Sequence, residues 1–303
     1  MSLYSRGRRR RTTLIALDEY SPTNSPATAV ASRSLPTNSP YILPWNIEEV
    51  NRQNFQHYLL RQAMSGNYRA PIKRPKNILD VGCGTGRWAQ EMAQEFPDTN
   101  LIGLDIFDPP TTEPNGSTKP SNYQFVMADA LKGLPFSPYQ FDFVHQRSLS
   151  CVIPSTSWHQ VVNELVRVTR PGGIVELVEP DSIFQNAGPM CTQLQNWIIA
   201  ACKKCGIDPT EGTQIETYLR VAGLINVKAE TIALPVGQWG GRLGSTTATN
   251  IRAACLAMKP LVLQHISINA QEYDGLLEDM FKECEQRRSC FITYVAYGQR
   301  PYR

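Results

Sequence analysis

The stretch 77–89 reads Asn-Ile-Leu-Asp-Val-Gly-Cys-Gly-Thr-Gly-Arg-Trp-Ala, and no other segment narrows the fold as much. Ile78, Leu79 and Val81 pattern as a short buried strand, Gly82, Gly84 and Gly86 as a turn without obstructing side chains, and Arg87 onward as a helix start. That order leaves a bare backbone and the first N–H groups of the helix open to a polar or anionic ligand. A dinucleotide fingerprint needs its third glycine at position 87. Arginine stands there, which argues against a pyrophosphate.

The segments downstream repeat the strand-then-acid theme. Leu101–Leu104 reads as a second strand closing on Asp105, where a carboxylate can accept from both hydroxyls of a ribose. A third strand, Tyr123 to Ala128, closes on Asp129-Ala130, an acid able to accept from an adenine amine beside a residue small enough to admit the ring. Strand four, Phe141–Val144, runs into His145-Gln146-Arg147. Pro171-Gly172-Gly173 turns the chain into strand five, 174–178, which ends in Glu179-Pro180-Asp181. Strands six and seven are expected over 225–234 and 291–297. Helices are expected from Asn46 with Glu49 through Met64, from Arg87 to Phe96, after Ser155 or Ser157, over 188–205, 212–222 and 248–264, and from Asn269 with Glu272. On the first of these, Ile47, Val50, Phe55, Tyr58 and Leu59 make a broad apolar face. Between strands two and three, the Pro-rich segment 107–122 replaces a helix with irregular chain.

Composition limits what surrounds this frame. The net charge is +3, and much of the excess lies in Arg6 to Arg11, so the folded body shows no nucleic-acid footprint. Residues 1–40 are rich in Ser, Pro, Thr and Asn and are expected to form a disordered basic tail. Residues 41–76 are expected to form an N-terminal helical lid and 77–303 the α/β domain that carries the glycine turn. The eight cysteines include one Cys-x-x-Cys, Cys202 to Cys205, with no second ligand pair, so no metal is expected. No apolar run reaches the ~20 residues of a membrane span, and the chain reads as soluble and cytoplasmic.

Asp80 to Gly86, Asp105, Asp129-Ala130 and Pro171-Gly172-Gly173, in this order and spacing, resemble the motifs of class I S-adenosylmethionine-dependent methyltransferases. The resemblance implies an α/β fold: a seven-stranded Rossmann-like sheet with an N-terminal helical lid and helical insertions around a substrate pocket. It implies S-adenosyl-L-methionine as cofactor, with Asp80, Gly82, Cys83, Gly84 and Gly86 around its methionine part. Asp105 and Ile106 would then meet the ribose, and Asp129 and Ala130 the adenine. A narrower resemblance rests on Tyr41-Ile-Leu-Pro44, Glu49-Val-Asn-Arg52, Gln56-His57 and Phe141 to Arg147. These resemble fungal regulator-type methyltransferases of secondary metabolism and their bacterial small-molecule relatives. That resemblance implies a first helix packed over the cofactor, with Tyr41 and Arg52, Gln56 or His57 facing it.

Methyl transfer from a sulfonium is an in-line displacement, so alignment and exclusion of water come before any covalent residue. If the acceptor is a hydroxyl, a base helps, and His57 and His145 are the histidines expected near the pocket. His145 reads equally as a polar wall of the cofactor site, and His57 equally as a packing histidine. Glu179 lies at a carboxyl strand end, where it can position an amine or a base. The Asn/Asp-Pro-Pro-aromatic run of adenine amino-methyltransferases is absent after strand four, and a Pro-Cys nucleophile is absent throughout. The reading is therefore an enzyme methylating a small, secondary-metabolite type of molecule, without nucleic acid or membrane as partner. Its rivals are a regulatory protein that binds the same cofactor and a methyltransferase acting on protein or RNA.

Overall fold

A computed structural model describes residues 42, 43, 46–109 and 119–302. The expected basic tail, Tyr41 and most of the Pro-rich segment lie outside the described residues.

Helix α1 (Ile47–Ala63) precedes the sheet; then come β1 (Asn77–Val81), α2 (Arg87–Glu95), β2 (Asn100–Asp105), β3 (Tyr123–Met127) and β4 (Phe141–Arg147). The second half runs α3 (Trp158–Val168), β5 (Thr169–Gln185), α4 (Pro189–Lys204), α5 (Ile215–Val221), β6 (Ile225–Pro235), α6 (Gly241–His265), α7 (Ala270–Arg287) and β7 (Cys290–Gln299). The seven strands form one sheet in the order β3-β2-β1-β4-β5-β7-β6. β1 to β5 pair in parallel, and β7 lies antiparallel between β5 and β6. The order reverses beside β1, so the carboxyl ends of β1, β2 and β4 open on one crevice, the usual place for a ligand in such sheets.

Both faces of the sheet are covered, as parallel strands require. On one face Leu79, Val144 and Val175 pack against Trp158, Val162 and Leu165 of α3 and Leu219 of α5. On the other, Ile78 and Phe143 meet Trp88 and Met92 of α2. α4, α6 and α7 close on one another around Tyr273, Leu277 and Met280, and this three-helix unit sits against the far ends of β5 and β7 through Phe184 and Phe291. Among the described residues no helix is long and apolar enough to cross a membrane.

Three elements differ from expectation. β5 is far longer than 174–178, because β7 pairs with it as far as Gln185↔Cys290 across an irregularity between Pro180 and Phe184. Pro171-Gly172-Gly173 lies inside this extended stretch, tied to Arg300 by Gly172 N–H and Gly173 carbonyl bonds. α6 begins at Gly241, upstream of 248, because Gly241 to Thr247 continue its turns. The third concerns the rotation of α1. Its buried residues include Glu49, Asn54 and His57, while Phe55 and Tyr58 are half-buried. The inward face of α1 covers a polar cavity, so burial there does not follow hydrophobicity.

Candidate active site

The glycine turn follows β1 with all three glycines at positive φ, and Gly86, at φ 72°, caps α2 in the left-handed region. The space it leaves is used by the protein itself. A Cβ on Gly86 would lie 2.7 Å from the Tyr123 hydroxyl, one on Gly84 2.6 Å from Gln53 Oε1, and one on Gly82 2.7 Å from Leu149. The turn is therefore gripped by β3, α1 and the segment after β4 as well as being bare toward the crevice. α1 adds a further tie, Thr85 Oγ1 donating to Asn54 Oδ1 at 2.7 Å.

One cavity lies over this turn. Its walls are Gly82 to Thr85, the end of β2 at Asp105 and Ile106, Asp129 and Ala130 after β3, the segment 147–153, and Arg52, Gln53, Gln56 and His57 of α1. Asp105 Oδ2 accepts from Gly84 N–H at 2.8 Å and Oδ1 from Phe107 N–H at 3.2 Å, which leaves lone pairs for further donors. Burial pushes the Asp105 carboxyl up, against the pull of its backbone donors. Asp129 Oδ1 caps the short turn after β3 by accepting from Leu131 N–H at 3.0 Å. Cys83 lines the cavity as a thiol, its ionisation pushed well up by burial and by Asp105 and Asp80.

Arg52 is in the wall, clamped on Glu49 through Nε at 2.7 Å and Nη2 at 2.6 Å, with Nη1 donating to Gln56 at 3.0 Å. His57 is buried in the same wall. Its Nδ1 lies 3.0 Å from Arg147 Nη2, and a guanidinium only donates, so Nδ1 is the bare nitrogen and Nε2 carries the proton. Nε2 faces Glu91 Oε2 at 3.2 Å, off line for a good hydrogen bond, and Arg61 holds the other Glu91 oxygen at 2.8 Å. Burial pulls His57 down to about 4, so it is neutral at pH 7, whereas Glu91 is held down to about 2, against the opposing effect of burial, by the nearby His57 ring and by Arg61.

His145 and Glu179 are not on the cavity wall. His145 was expected to face the same space as His57. It lies behind Asp80 instead, with Nδ1 2.8 Å from Asp80 Oδ1 and its ring stacked on Trp88 at 3.8 Å. Burial lowers its basicity. It therefore reaches the cavity only through Asp80, which does line it. Glu179 is turned into the protein, where it accepts from Leu149 N–H at 3.1 Å and Ser150 N–H at 2.9 Å, and burial pushes it up to about 7. It shapes the segment that walls the cavity.

Arg147 and Glu91 had been given no role from sequence. Arg147 is half-buried at the end of β4, where desolvation works against its charge and Asp80, Glu91, Glu176 and Glu179 sustain it. Its signal was an arginine closing an apolar strand. Glu91 left no signal, being one of several polar residues on α2. Among the described residues no His, Cys, Asp and Glu cluster could hold a metal ion.

A family model described as a methyltransferase domain matches residues 78–173, the span that carries the turn and all three strand ends. The chain is 26% identical to the N-methyltransferase verN of Clonostachys rogersoniana over 272 residues, 86% of this chain and 93% of that protein. It is 27% identical to the N-methyltransferase sirN of Leptosphaeria maculans over 284 residues, 90% and 98% of the two chains. The secondary metabolism regulator laeA of Coprinopsis cinerea is 34% identical over 149 residues, 46% of this chain and 36% of that one. The cavity suits S-adenosylmethionine chemically: Asp105 has lone pairs for hydroxyl donors, Ala130 leaves space beside Asp129, and Arg52 and Arg147 bring positive charge for a carboxylate. Fold, motif order and the matched domain together support a class I S-adenosylmethionine-dependent methyltransferase.

Proposed function

We propose that the chain methylates a nitrogen of a small molecule of secondary metabolism. The observation that carries the choice of nitrogen is the state of His57: Arg147 occupies one ring nitrogen and the other faces Glu91, so the histidine in the wall has no free site for an acceptor's proton. A hydroxyl acceptor gains from such a base, whereas a neutral amine attacks without one and gives its extra proton to solvent after transfer. Bound S-adenosylmethionine supplies an electrophilic methyl on a sulfonium sulfur. The chain's part is to hold, align and dry the reactants. Asp105 and the glycine turn bind, α1 covers, and the Arg147–His57–Glu91 chain fixes the wall next to the opening. In this reading residues 41–76 act as the lid. The names of verN and sirN point to the same acceptor atom.

Methyl-labelled S-adenosylmethionine and a fungal extract split into dialysable, protein and RNA fractions test the reading. Label is expected in the dialysable fraction, on nitrogen by mass spectrometry. Label in protein or RNA, or on oxygen, overturns it. Tight cofactor binding without turnover on any fraction would favour a regulatory role, the reading that the similarity to laeA supports.

A further inference from the structure

We propose that a small chamber beside the cofactor cavity is the acceptor subsite, and that it takes a neutral, largely apolar molecule presenting an N–H or O–H donor to Asn250 and Thr293. The proposal rests on the methyl-transfer reading above. The floor is the sheet where β5, β7 and β6 meet, with Pro180 paired to Thr293 and Leu234 to Phe291. α1 roofs it with Leu59 and Leu60, and α6 with Thr247, Asn250 and Ile251. No charged side chain lines it, so an ionic ligand would be desolvated there without compensation.

Its polar atoms are the informative ones. The Thr247 hydroxyl is already engaged, donating to the Leu243 carbonyl at 2.8 Å. Asn250 Oδ1 and Thr293 Oγ1 have no partner, although the two residues are only 7% and 1% exposed. Buried polar atoms are almost always paired, and an unpaired one facing a cavity points to a ligand or a water. An amide oxygen only accepts and a hydroxyl can accept as well as donate, so a donor on the ligand is the group both can take.

The chamber also communicates with the cofactor cavity. Gln56 and Ser148 line both, joined by a long bond from Gln56 Nε2 to Ser148 Oγ at 3.4 Å. Ser148 has φ 61°, in the left-handed region that serine seldom adopts. As it stands the chamber has space for about one water molecule. An acceptor therefore enters by parting Gln56 from Ser148 and displacing Leu59 and Leu60.

The test uses the full chain with two probes of one shape: acetanilide, an aromatic ring bearing one amide N–H, and phenyl acetate, in which an ester oxygen replaces it. Both are titrated by ligand-observed NMR into the parent, Asn250→Leu and Thr293→Val, with and without S-adenosylhomocysteine, whose own affinity is measured by calorimetry. Acetanilide is expected to bind the parent at least about tenfold better than phenyl acetate, a preference falling to about twofold in Asn250→Leu. Affinity for S-adenosylhomocysteine should be the same in all three proteins. Equal binding of the two probes, or a preference that survives Asn250→Leu, overturns the proposal. So does a result in which neither probe binds and Asn250→Leu merely raises the melting temperature, since the pair then holds a structural water. Failure of the parent to bind S-adenosylhomocysteine would sink the methyl-transfer reading instead, and the titrations without it would still decide the chamber.

Discussion

Asp105 and Glu176 show how one side-chain type takes different work from its surroundings. Asp105 stands at the cavity with backbone donors that include Gly84 and Phe107 N–H, and with spare lone pairs. Asp105→Ala should weaken S-adenosylmethionine binding about tenfold to a hundredfold, roughly 1.5–3 kcal/mol, by calorimetry; unchanged affinity would remove Asp105 from the site. Glu176 is buried on β5, its Oε2 accepting from Arg69 and Ala70 N–H at 2.8 and 2.6 Å while Oε1 has no partner, and burial pushes it up to about 7. The folded chain thus holds that proton to higher pH than the unfolded chain, so its contribution is whole below about 4.5 and is lost as pH rises through about 7. Urea midpoints of the parent relative to Glu176→Gln should fall between about pH 5 and pH 7.5; a constant difference would mean the carboxyl is ionised throughout. Asp105 was legible because an acid closing a short apolar strand is a strong local signal. The inward turn of Glu179 and the recess of His145 were not, because strand ends look alike in sequence and only the packing of Trp88 and the 147–153 segment decides which side chain reaches the crevice.

At the scale of elements, helix starts marked by a side-chain cap were read well, and helix faces and the uncapped start of α6 less so. Asn269 with Glu272 forms the capping box that their spacing announced, Asn269 Oδ1 accepting from Gln271 and Glu272 N–H while the Glu272 carboxylate returns to Asn269 N–H. Asn269→Ala should cost about 1 kcal/mol, read in a thermal or denaturant melt, because two N–H groups at the start of α7 lose their acceptor. Local chemistry sets a cap, so sequence suffices. The rotation of α1 depends on what it covers. Its inward face meets the glycine turn through Asn54 and the cavity through His57, and a periodicity count cannot distinguish a polar cavity from solvent. Asn54→Ala should loosen this tie, seen as faster hydrogen exchange in α1 and several-fold weaker cofactor binding with the rest of the fold protected as before. Slow exchange unaltered by the substitution would show that packing alone seats the helix.

Across the whole molecule, the positions of the seven strands were foreseeable from their segments, and the length of β5 was not, since it depends on a partner, β7, more than a hundred residues away. The cofactor should act on this whole: at about 100 times its dissociation constant S-adenosylmethionine should stabilise the chain by about 2.7 kcal/mol. Asp105→Ala at the same concentration should show less, and an equal gain in both proteins would place binding elsewhere. The two cavities also divide the chain unevenly. Every residue lining the larger one lies at or before Ile153, whereas the chamber is finished by Leu234, α6 and the Phe291 and Thr293 of β7. A ribosome therefore delivers the walls for the donor long before those for the acceptor, and the last strand made is the one that closes the second.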